Sequence, residues 1–285
     1  MKKLVKLLTA IVLALTVSVP AVALTACNRN SEKEIVVGAS PTPHAEILRD
    51  VVAAELAKEG YTLKITEYND YVLPNTAVEY GDIDANYFQH IKYMNEFNES
   101  RGTHLVAVAY VHYEPFGIYR GKYTSGELKD LPNGSQVLVP NDPTNEARAL
   151  FLLQEAGLIR LRADVNPLEA TKADIQSNPK NLDIKELEAA QCAKSLQDAA
   201  IAVINGNYAI GEGLKLEDAV VAEDIASDVT SQYINVLAVK AGSEKSPKIQ
   251  ALIKALISDA VKDYIADKYN GAVLAVPYSI EDIED

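Results

Sequence analysis

The sequence predicts an α/β fold with two lobes and sheets that contain parallel strands. Strand-like and helix-like patterns alternate along the chain from residue 34 onward, which is typical of parallel sheets covered by helices. Two extended stretches, at 105–120 and 231–240, enclose a middle section of about 110 residues. This order predicts that one lobe is inserted into the other, with two crossings of the chain between them.

The first set of alternations runs from residue 34 to residue 120. It comprises, in order, a strand at 34–39, a helix at 41–60, a strand at 61–68, a short helix at 71–82, a strand at 82–88, a helix at 91–100 and an extended stretch that breaks near Pro115 and Gly117. In the helix at 41–60 the apolar residues Ile47 and Val51 share one face, and Gly60 ends the helix.

The second set begins after that break. It comprises a strand at 134–140, a helix at 143–156, a strand at 182–189, a short helix at 193–199, a buried strand at 199–206, a loop-rich acidic stretch to Asp228, a strand at 231–240 and a final helix at 246–271. Asp142 can cap the helix at 143–156, and Pro143 suits its first position because that position needs no N–H. Ser246 and Pro247 begin the final helix in the same way.

The domain boundaries follow from this order of elements. Residues 34–116 and 234–285 are predicted to form the first lobe, and residues 117–233 the second. Sheets of this kind bind ligands at the carboxyl ends of their strands, in the crevice between the lobes. Hinge closure around the ligand is the usual motion of such proteins.

The amino terminus is predicted to lie outside the fold. Lysines precede an apolar run from Leu7 to Ala23, and small residues follow, so residues 1–26 are typical of a secretion signal. Cys27 comes after Leu-Thr-Ala and resembles the lipidated cysteine of a bacterial lipobox, with residues 27–33 as cysteine and tether. Acyl chains on Cys27 would anchor the protein at the extracytoplasmic face of the cell membrane. The alternative is an uncleaved span, for which a run of about 17 residues is short.

The charge and the cysteine content argue against a nucleic-acid partner and against a fold held by disulfides. Removal of residues 1–26, which carry three lysines and no acid, takes the net charge from −13 to −16. A chain this acidic repels polyanions, so nucleic acid is excluded as a partner. Cys192 is then the one cysteine other than Cys27, so we expect no internal disulfide and a buried, unpaired thiol.

An unusual set of side chains follows the predicted strands. Arg148 lies inside the apolar helix at 143–156, on the same face as Thr144 and Asn145, and a guanidinium flanked by Phe151 needs a partner. The groups at strand ends are His44, Tyr71, Phe88, His90, Tyr93, Asn141, Asn205, Tyr233 and Asn235. For each isolated histidine or tyrosine, the alternative to ligand binding is a purely structural role.

Together these groups suit a small zwitterion with an apolar tail. An arginine can bind a carboxylate through two parallel charge-assisted bonds. An asparagine carbonyl or a neutral histidine nitrogen can accept from an ammonium group. Aromatic rings can cover an aliphatic or thioether side chain.

Catalysis is not indicated by the sequence. The four histidines form no His-x-x-x-His pair, and the chain has no Cys-x-x-Cys, no Gly-x-Ser-x-Gly elbow and no phosphate loop. We therefore expect a protein that is not an enzyme and that uses neither a metal nor a cofactor.

Several long blocks resemble the methionine-binding lipoproteins of bacterial methionine uptake transporters. They are VVGASPTPHAEIL, YNDYVLPNTAVEYGDIDANYFQH, VPNDPTNEARALFLLQEAGLI, NPKNLDIKELEAAQ and AVINGNYAIGEGL, and the likeness covers about 34–278. The resemblance implies a two-lobed periplasmic-binding-protein fold of type 2, tethered by its lipid, that delivers L-methionine to an ATP-driven permease. The implied partners are the permease and ATPase subunits of an ABC transporter and the membrane, and we expect a monomer.

The matching motifs also imply the ligand contacts. Arg148 in PTNEAR would hold the ligand carboxylate, and Asn205 in AVIN and Asn235 in YIN would bind the polar head. The remaining implied contacts are Tyr71 in NDYVLPN, Phe88 and His90 in NYFQH, and Tyr93 just after. His44 is a further candidate from its position after the strand at 34–39.

Two departures from the family pattern leave alternatives open. The segment QCAKSLQD, which contains Cys192, stands where family members often read QLPRSLDD, so docking to the permease could differ. The opening PTPHAEIL occurs in a branch that includes a glycyl-methionine binder, so D-methionine or a methionine-containing dipeptide are alternative ligands. From another functional class, a surface lipoprotein could reuse the fold for adhesion.

Overall fold

Two mixed β-sheets form the centre of the chain in the computed structural model, which describes residues 32–224 and 230–279. The predicted signal at 1–26 and the predicted lipidation site Cys27 lie outside the described residues. The described strands are β1 (Glu34–Ala39), β2 (Thr62–Glu67), β3 (Ala85–His90), β4 (Leu105–Tyr113), β5 (Gly117–Arg120), β6 (Gln136–Pro140), β7 (Arg160–Leu161), β8 (Ile175–Ser177), β9 (Asp183–Leu187), β10 (Ile201–Ile204), β11 (Val221–Ala222), β12 (Ile234–Lys240) and β13 (Leu274–Ser279). The predicted α/β class is confirmed.

Helices cover both sheets. The described α-helices are α1 (Ala53–Lys58), α2 (Leu73–Tyr80), α3 (Ile91–Arg101), α4 (Pro143–Glu155), α5 (Ala189–Lys194), α6 (Gly206–Gly211), α7 (Pro247–Leu256) and α8 (Asp259–Tyr269). Two π-helical stretches, Pro41–Ala45 and Leu48–Val52, precede α1. Thr42 is extended inside the first of them, so the predicted continuous helix at 41–60 is interrupted near its start.

The first sheet has six strands in the order β13-β4-β12-β3-β1-β2. Strand β1 runs parallel to β2 and to β3, whereas β12 is antiparallel to β3 and β4, and β13 is antiparallel to β4. The expected parallel pairing therefore holds for the strands joined by covering helices. It fails beyond β3 because β12 returns from the other sheet and inserts between β3 and β4 in the opposite direction.

The second sheet has five strands in the order β11-β5-β10-β6-β9. Strand β6 runs parallel to β9 and β10, and β5 is antiparallel to β10 and β11. The first crossing of the chain is short, because β4 ends in the first sheet at Tyr113 and β5 begins in the second at Gly117. The exact lobe boundaries, 116/117 and 233/234, stay a prediction.

Two sequence predictions are wrong in detail, and two elements were missed. The final helix at 246–271 is two helices, α7 and α8, because the chain leaves helical geometry at Ile257 and begins again after Ser258, which has extended dihedrals. Strand β13 and helix α6 were not predicted at all. The short helix at 193–199 instead spans Ala189–Lys194 and is followed by a single 3₁₀ turn at Leu196–Asp198.

Helix α4 is held firmly against the second sheet. Its residues Ala147, Leu150 and Leu153 are fully buried and belong to one core with Val137 and Val139 of β6. Burial of a leucine side chain contributes about 1.5–3 kcal/mol, so these contacts fix the helix position. Asp142 caps α4 by accepting from the Asn145 backbone N–H at 3.0 Å, as predicted. The polar face of α4 is thereby oriented toward the junction of the two sheets.

Among the described residues, no helix is long and apolar enough to cross a bilayer. Cys192 is buried, is free among the described residues, and packs with Leu138 and Ile204 in a core on the second sheet. The predicted burial of this thiol is confirmed.

Candidate functional site

A cavity lies where β3, β12, α4, the β4–β5 crossing and the start of α6 meet, and the empty space there, open solvent included, is about 330 Å³. It is lined by Tyr71, Phe88, Gln89, His90, Tyr93, Glu114, Phe116, Asn145, Arg148, Asn205, Gly206, Asn207 and Asn235. Seven of the sequence-predicted site residues are therefore brought together: Tyr71, Phe88, His90, Tyr93, Arg148, Asn205 and Asn235. These residues belong to both sheets and their connections, and they lie up to 164 positions apart in the sequence.

Local structure explains why these side chains converge. Strand β3 is buried along its whole length, and its last three residues, Phe88, Gln89 and His90, all line the cavity at the point where the pairing with β12 shifts register. His90 then caps α3, since its Nδ1 accepts from the Tyr93 backbone N–H at 3.0 Å. On α4, Asn145 and Arg148 are three residues apart and share the face directed at the cavity.

Arg148 already holds a carboxylate of the protein itself. Its Nε donates to Oε1 of Glu223 at 2.7 Å, and its Nη2 donates to Oε2 of Glu223 at 2.6 Å and to the Glu114 carbonyl at 2.8 Å. The guanidinium carbon lies 4.0 Å from the ring centre of Phe116 and 4.3 Å from that of Tyr233. The two parallel bonds expected for a ligand carboxylate are thus made to Glu223 through Nε and Nη2, and we infer that Nη1 is the nitrogen that a ligand would meet.

The ion pair keeps both of its members charged. Burial alone would raise the pKa of Glu223, but the Arg148 charge and the hydrogen bonds from Arg148, the Phe116 N–H and the Tyr113 hydroxyl hold it below its usual value. Burial would lower the pKa of Arg148, and Glu223 reverses that shift to a net increase. The guanidinium is therefore a fixed positive group whose charge is balanced before any ligand enters.

A second carboxylate, Glu114, lies in the β4–β5 crossing and lines the cavity. Its Oε1 accepts from Nε2 of His112 at 2.6 Å and lies 3.5 Å from Nε2 of His44. Burial raises the pKa of Glu114, partly offset by His44, the Asn207 N–H and Arg148. Burial also lowers the pKa of His44 to about 4 and that of His112 to about 3, so both imidazoles are neutral near pH 7.

His44 lies behind the cavity and does not line it. Its Nε2 is 3.0 Å from Oδ1 of Asn235, and with Glu114 as the other neighbour this nitrogen must carry the hydrogen. The Asn235 carbonyl is therefore occupied, and its NH₂ group is the part of the amide available to the cavity. We infer that His44 orients a cavity residue; a direct ligand contact for it is not supported by its position.

The cluster of His44, His112 and Glu114 has donor atoms that all lie within 4.8 Å of one another. The His112 and Glu114 atoms are only 2.6 Å apart, whereas two ligands of a tetrahedral zinc ion with bonds of about 2.1 Å are about 3.4 Å apart. His112 also contacts the Tyr87 hydroxyl through its Nδ1. The cluster is arranged as a hydrogen-bonded network that supports Glu114.

The His90 ring also has both nitrogens in use. With Nδ1 accepting from Tyr93, Nε2 carries the hydrogen and lies 3.2 Å from Oδ1 of Asn145. Burial, reinforced by Arg148, lowers the pKa of His90 to about 3, so the ring is neutral. The expected acceptance of an ammonium group by a histidine nitrogen is therefore not available at His90, which offers the cavity its ring.

One end of the cavity is aromatic. The ring of Tyr71 lies 5.6 Å from Phe88, 5.7 Å from Tyr93 and 5.0 Å from Tyr208. The Tyr71 hydroxyl donates to Oδ1 of Asn207 at 2.7 Å, which joins a loop of the first sheet to α6 on the second. Tyr71 and Tyr93 also line a groove outside the cavity, so the Tyr71–Asn207 bond separates the two spaces.

Sequence reasoning missed several of the residues around the cavity. These are Glu114, Phe116, Asn207, Tyr208 and Glu223. Glu114 and Phe116 flank Pro115, where the extended stretch was expected to break. The predicted break could therefore have pointed to these two residues as part of the cavity wall. Asn145 was noted only as a neighbour of Arg148, yet it lines the cavity and links His90 to Asn205.

Comparison with known proteins identifies close relatives. The family model described as NlpA lipoprotein matches residues 35–276. The chain is 43% identical to the methionine-binding lipoprotein MetQ of Bacillus subtilis, over 89% of this chain and 93% of the relative. It is 42% identical to the D-methionine-binding lipoprotein MetQ of Salmonella typhi, over 78% and 82%. A nutrient binding protein from Burkholderia cenocepacia, solved bound to methionine, superposes with a TM-score of 0.78 at 42% identity, over 85% of this chain and 99% of that one.

Proposed function

Because the chain belongs to the NlpA lipoprotein family, we propose that it is an extracytoplasmic solute-binding lipoprotein that captures L-methionine in the cavity between its two sheets. It then delivers the amino acid to an ATP-driven permease. The family's relatives are named for methionine binding, and one was solved with methionine bound. The chemistry of the cavity supports the same ligand class independently.

The separation of donors from acceptors in the cavity is the observation that carries the proposal. Nη1 of Arg148 and the NH₂ group of Asn235 are donors, which suits a carboxylate. The Asn205 carbonyl oxygen and the Glu114 carboxylate are acceptors, which suits an ammonium group. A zwitterionic amino acid provides both partners without adding net charge to a buried site, and burial of an uncompensated charge would be costly.

The aromatic end of the cavity suits the methionine side chain. Phe88, Tyr93 and Tyr71 form an apolar wall within ring-to-ring distances of 6.2 Å. A thioether gains about 0.3–1.5 kcal/mol from each favourable contact with an aromatic ring.

We propose further that Cys27 is lipidated and anchors the protein to the membrane, and that the transporter's permease and ATPase subunits are its partners. Several acyl chains on one residue give stable anchoring, whereas one chain gives marginal binding. Metabolic palmitate labelling of the full chain is expected to disappear in Cys27→Ala. Labelling that is unaffected by this substitution would favour the uncleaved span.

Calorimetry with a ligand panel tests the proposed specificity. The protein should be unfolded and refolded first, because carried-over ligand would raise its apparent stability by mass action. L-methionine is expected to bind with micromolar or tighter affinity, about −8 kcal/mol, and D-methionine, methionine sulfoxide and glycyl-methionine more weakly. Tighter binding of glycyl-methionine would assign the dipeptide instead, and would require the Tyr71–Asn207 bond to open toward the outer groove.

Absence of a thermal shift with every amino acid and short peptide tested would reject solute binding. The adhesion alternative would then be favoured, since a shared fold does not fix function.

A further inference from the structure

We propose that Asp142, which does not line the cavity, sets the hydrogen-bond polarity of Asn205 through Asn145 and so makes the site select an amino group over a hydroxyl group in the ligand. The inference rests on the proposed binding of methionine and names a specificity determinant for it. Two consecutive contacts carry it, from Asp142 to Asn145 and from Asn145 to Asn205, and the proposed ligand contact of Asn205 follows from them.

The first contact fixes the orientation of the Asn145 amide. Its Nδ2 lies 3.0 Å from Oδ1 and 2.9 Å from Oδ2 of Asp142. A carboxylate only accepts, so the group facing it must be the Asn145 NH₂. The Asn145 carbonyl must then point the other way, toward His90 and Asn205.

His90 supports this orientation from the opposite side. Because its Nδ1 accepts from the Tyr93 backbone N–H, its Nε2 carries the hydrogen and donates to Oδ1 of Asn145 at 3.2 Å. Reversal of the Asn145 amide would therefore bring acceptor against acceptor at Asp142 and donor against donor at His90. The shape of an amide does not distinguish its oxygen from its nitrogen, but the partners on both sides determine the orientation of the Asn145 amide.

The second contact fixes Asn205 in turn. Its Nδ2 donates to Oδ1 of Asn145 at 3.1 Å, so its carbonyl oxygen is the group that is free. Asn205 is 5% exposed and lines the cavity, and among the described residues its Oδ1 has no hydrogen-bond partner. A buried acceptor without a partner is costly, so the site requires a ligand that donates at this point.

An ammonium group only donates, whereas a hydroxyl group can donate or accept. With the Asn205 carbonyl fixed toward the cavity, methionine is bound in preference to its 2-hydroxy analogue, in which a hydroxyl replaces the amine. If the Asn205 amide could turn, its NH₂ would repel the ammonium group and still satisfy the hydroxyl. The ratio of the two affinities therefore reports the orientation of Asn205.

Asp142→Asn tests the first step of this chain. The variant keeps the size of the side chain and keeps a good helix cap, because asparagine caps about as well as aspartate. It places an NH₂ group where Oδ2 now accepts from Asn145, so one of the two bonds that hold the Asn145 amide from that side is replaced by a donor facing a donor. The matched control is Asp70→Asn, since Asp70 also accepts from backbone N–H groups at the start of a helix, those of Val72 and Leu73, but has no link to Asn145.

The measurement is calorimetric titration of wild type, Asp142→Asn and Asp70→Asn with L-methionine and with its 2-hydroxy analogue. We expect the preference for methionine to fall about tenfold or more in Asp142→Asn and to stay at the wild-type value in Asp70→Asn. Asp142→Ser, which caps α4 but is too short to face the Asn145 amide, is expected to give an intermediate ratio and serves if Asp142→Asn does not fold.

Loss of affinity by the same factor for both ligands would overturn the inference, because general loosening of α4 would not discriminate between them. An unchanged ratio in both Asp142 variants would overturn it as well, while wild-type binding of methionine would leave the proposed function standing. Failure of the wild type to bind either ligand would reject the proposed function together with this inference.

Discussion

The buried Arg148 and the partly buried Glu223 are joined by two parallel hydrogen bonds of 2.7 and 2.6 Å. Arg148 comes from α4, and Glu223 follows β11 and also accepts from Tyr113 and Phe116, which flank the crossing between the two sheets. The pair therefore joins the cavity to the point where the chain passes between the sheets. Its carboxylate occupies the side of the guanidinium that a ligand carboxylate would otherwise be expected to use.

Glu223→Gln is expected to lower the stability of the ligand-free protein. The substitution leaves the Arg148 charge buried without its partner, and breaking a buried pair in this way typically costs about 3–5 kcal/mol. A ligand carboxylate can compensate part of this loss, so methionine should raise the melting temperature of the variant by more than it raises that of wild type. Differential scanning calorimetry with and without methionine measures both effects.

Exposed pairs provide the control for that prediction. Glu217 pairs with Lys215 on the surface, and Glu217→Gln is expected to change stability by less than about 1 kcal/mol. Equal stability of Glu223→Gln and Glu217→Gln would contradict a structural role for the buried pair.

The same pair predicts a particular dependence of stability on pH. The pKa of Glu223 is lowered on folding from its ordinary value of 4.5, so its contribution is complete above that value and is lost as the pH falls through the folded pKa. Below about pH 4.5, the free energy of unfolding of wild type should fall more steeply than that of Glu223→Gln. Urea denaturation at a series of pH values gives both curves, and parallel curves would show that Glu223 is not held ionised by Arg148.

Two glycines of α6 provide a matched test of the cavity wall. A Cβ on Gly206 would lie 2.7 Å from Cβ and 2.9 Å from Oε2 of Glu114, whereas a Cβ on Gly211 would contact nothing within 4 Å. Gly206→Ala should displace Glu114, at a cost of about 1–3 kcal/mol, and weaken methionine binding. Gly211→Ala should leave binding unchanged and raise stability by up to about 1 kcal/mol. Similar affinities of the two variants would show that Glu114 need not stay in place.

The Cys192 thiol is expected to be unreactive in the folded protein. It is fully buried in the core of the second sheet, and burial raises its pKa to about 12, so little thiolate forms near pH 7. Thiol titration with an aromatic disulfide reagent should show no rapid reaction under native conditions and one equivalent after denaturation of protein processed at Cys27. Fast labelling of the native protein would indicate that α5 opens readily.

The sequence predicted the elements around the cavity well, because their signals are local. Asp142 and Pro143 mark the start of α4, and a run of buried residues marks β3. The split of the last helix at Ser258 was missed because both halves continue the same apolar periodicity. The antiparallel position of β12 was missed because strand order depends on contacts between residues about 120 to 155 positions apart, and nothing local in 234–240 indicates them.

The sequence predicted most of the residues that we named for the candidate site, but not all of their hydrogen-bond partners. Motifs led to seven cavity residues, yet the partner of Arg148 is Glu223, 75 positions away in an acidic stretch with no pattern to distinguish it. The orientation of each amide likewise depends on what its neighbours donate or accept. Asn205 and Asn235 have the same side chain and face the cavity with opposite polarity, because one is fixed by Asn145 and the other by His44.

Titration of L-methionine into refolded wild type, Arg148→Ala and the double variant Arg148→Ala/Glu223→Gln tests the methionine site most directly. The double variant removes both charges, so it separates loss of a ligand contact from the instability caused by an unpaired Glu223. We expect micromolar or tighter binding to wild type and a loss of more than tenfold, at least about 1.4 kcal/mol, in both variants. Full wild-type affinity in the folded double variant, or no binding to wild type, would contradict the assignment of this cavity as the methionine site.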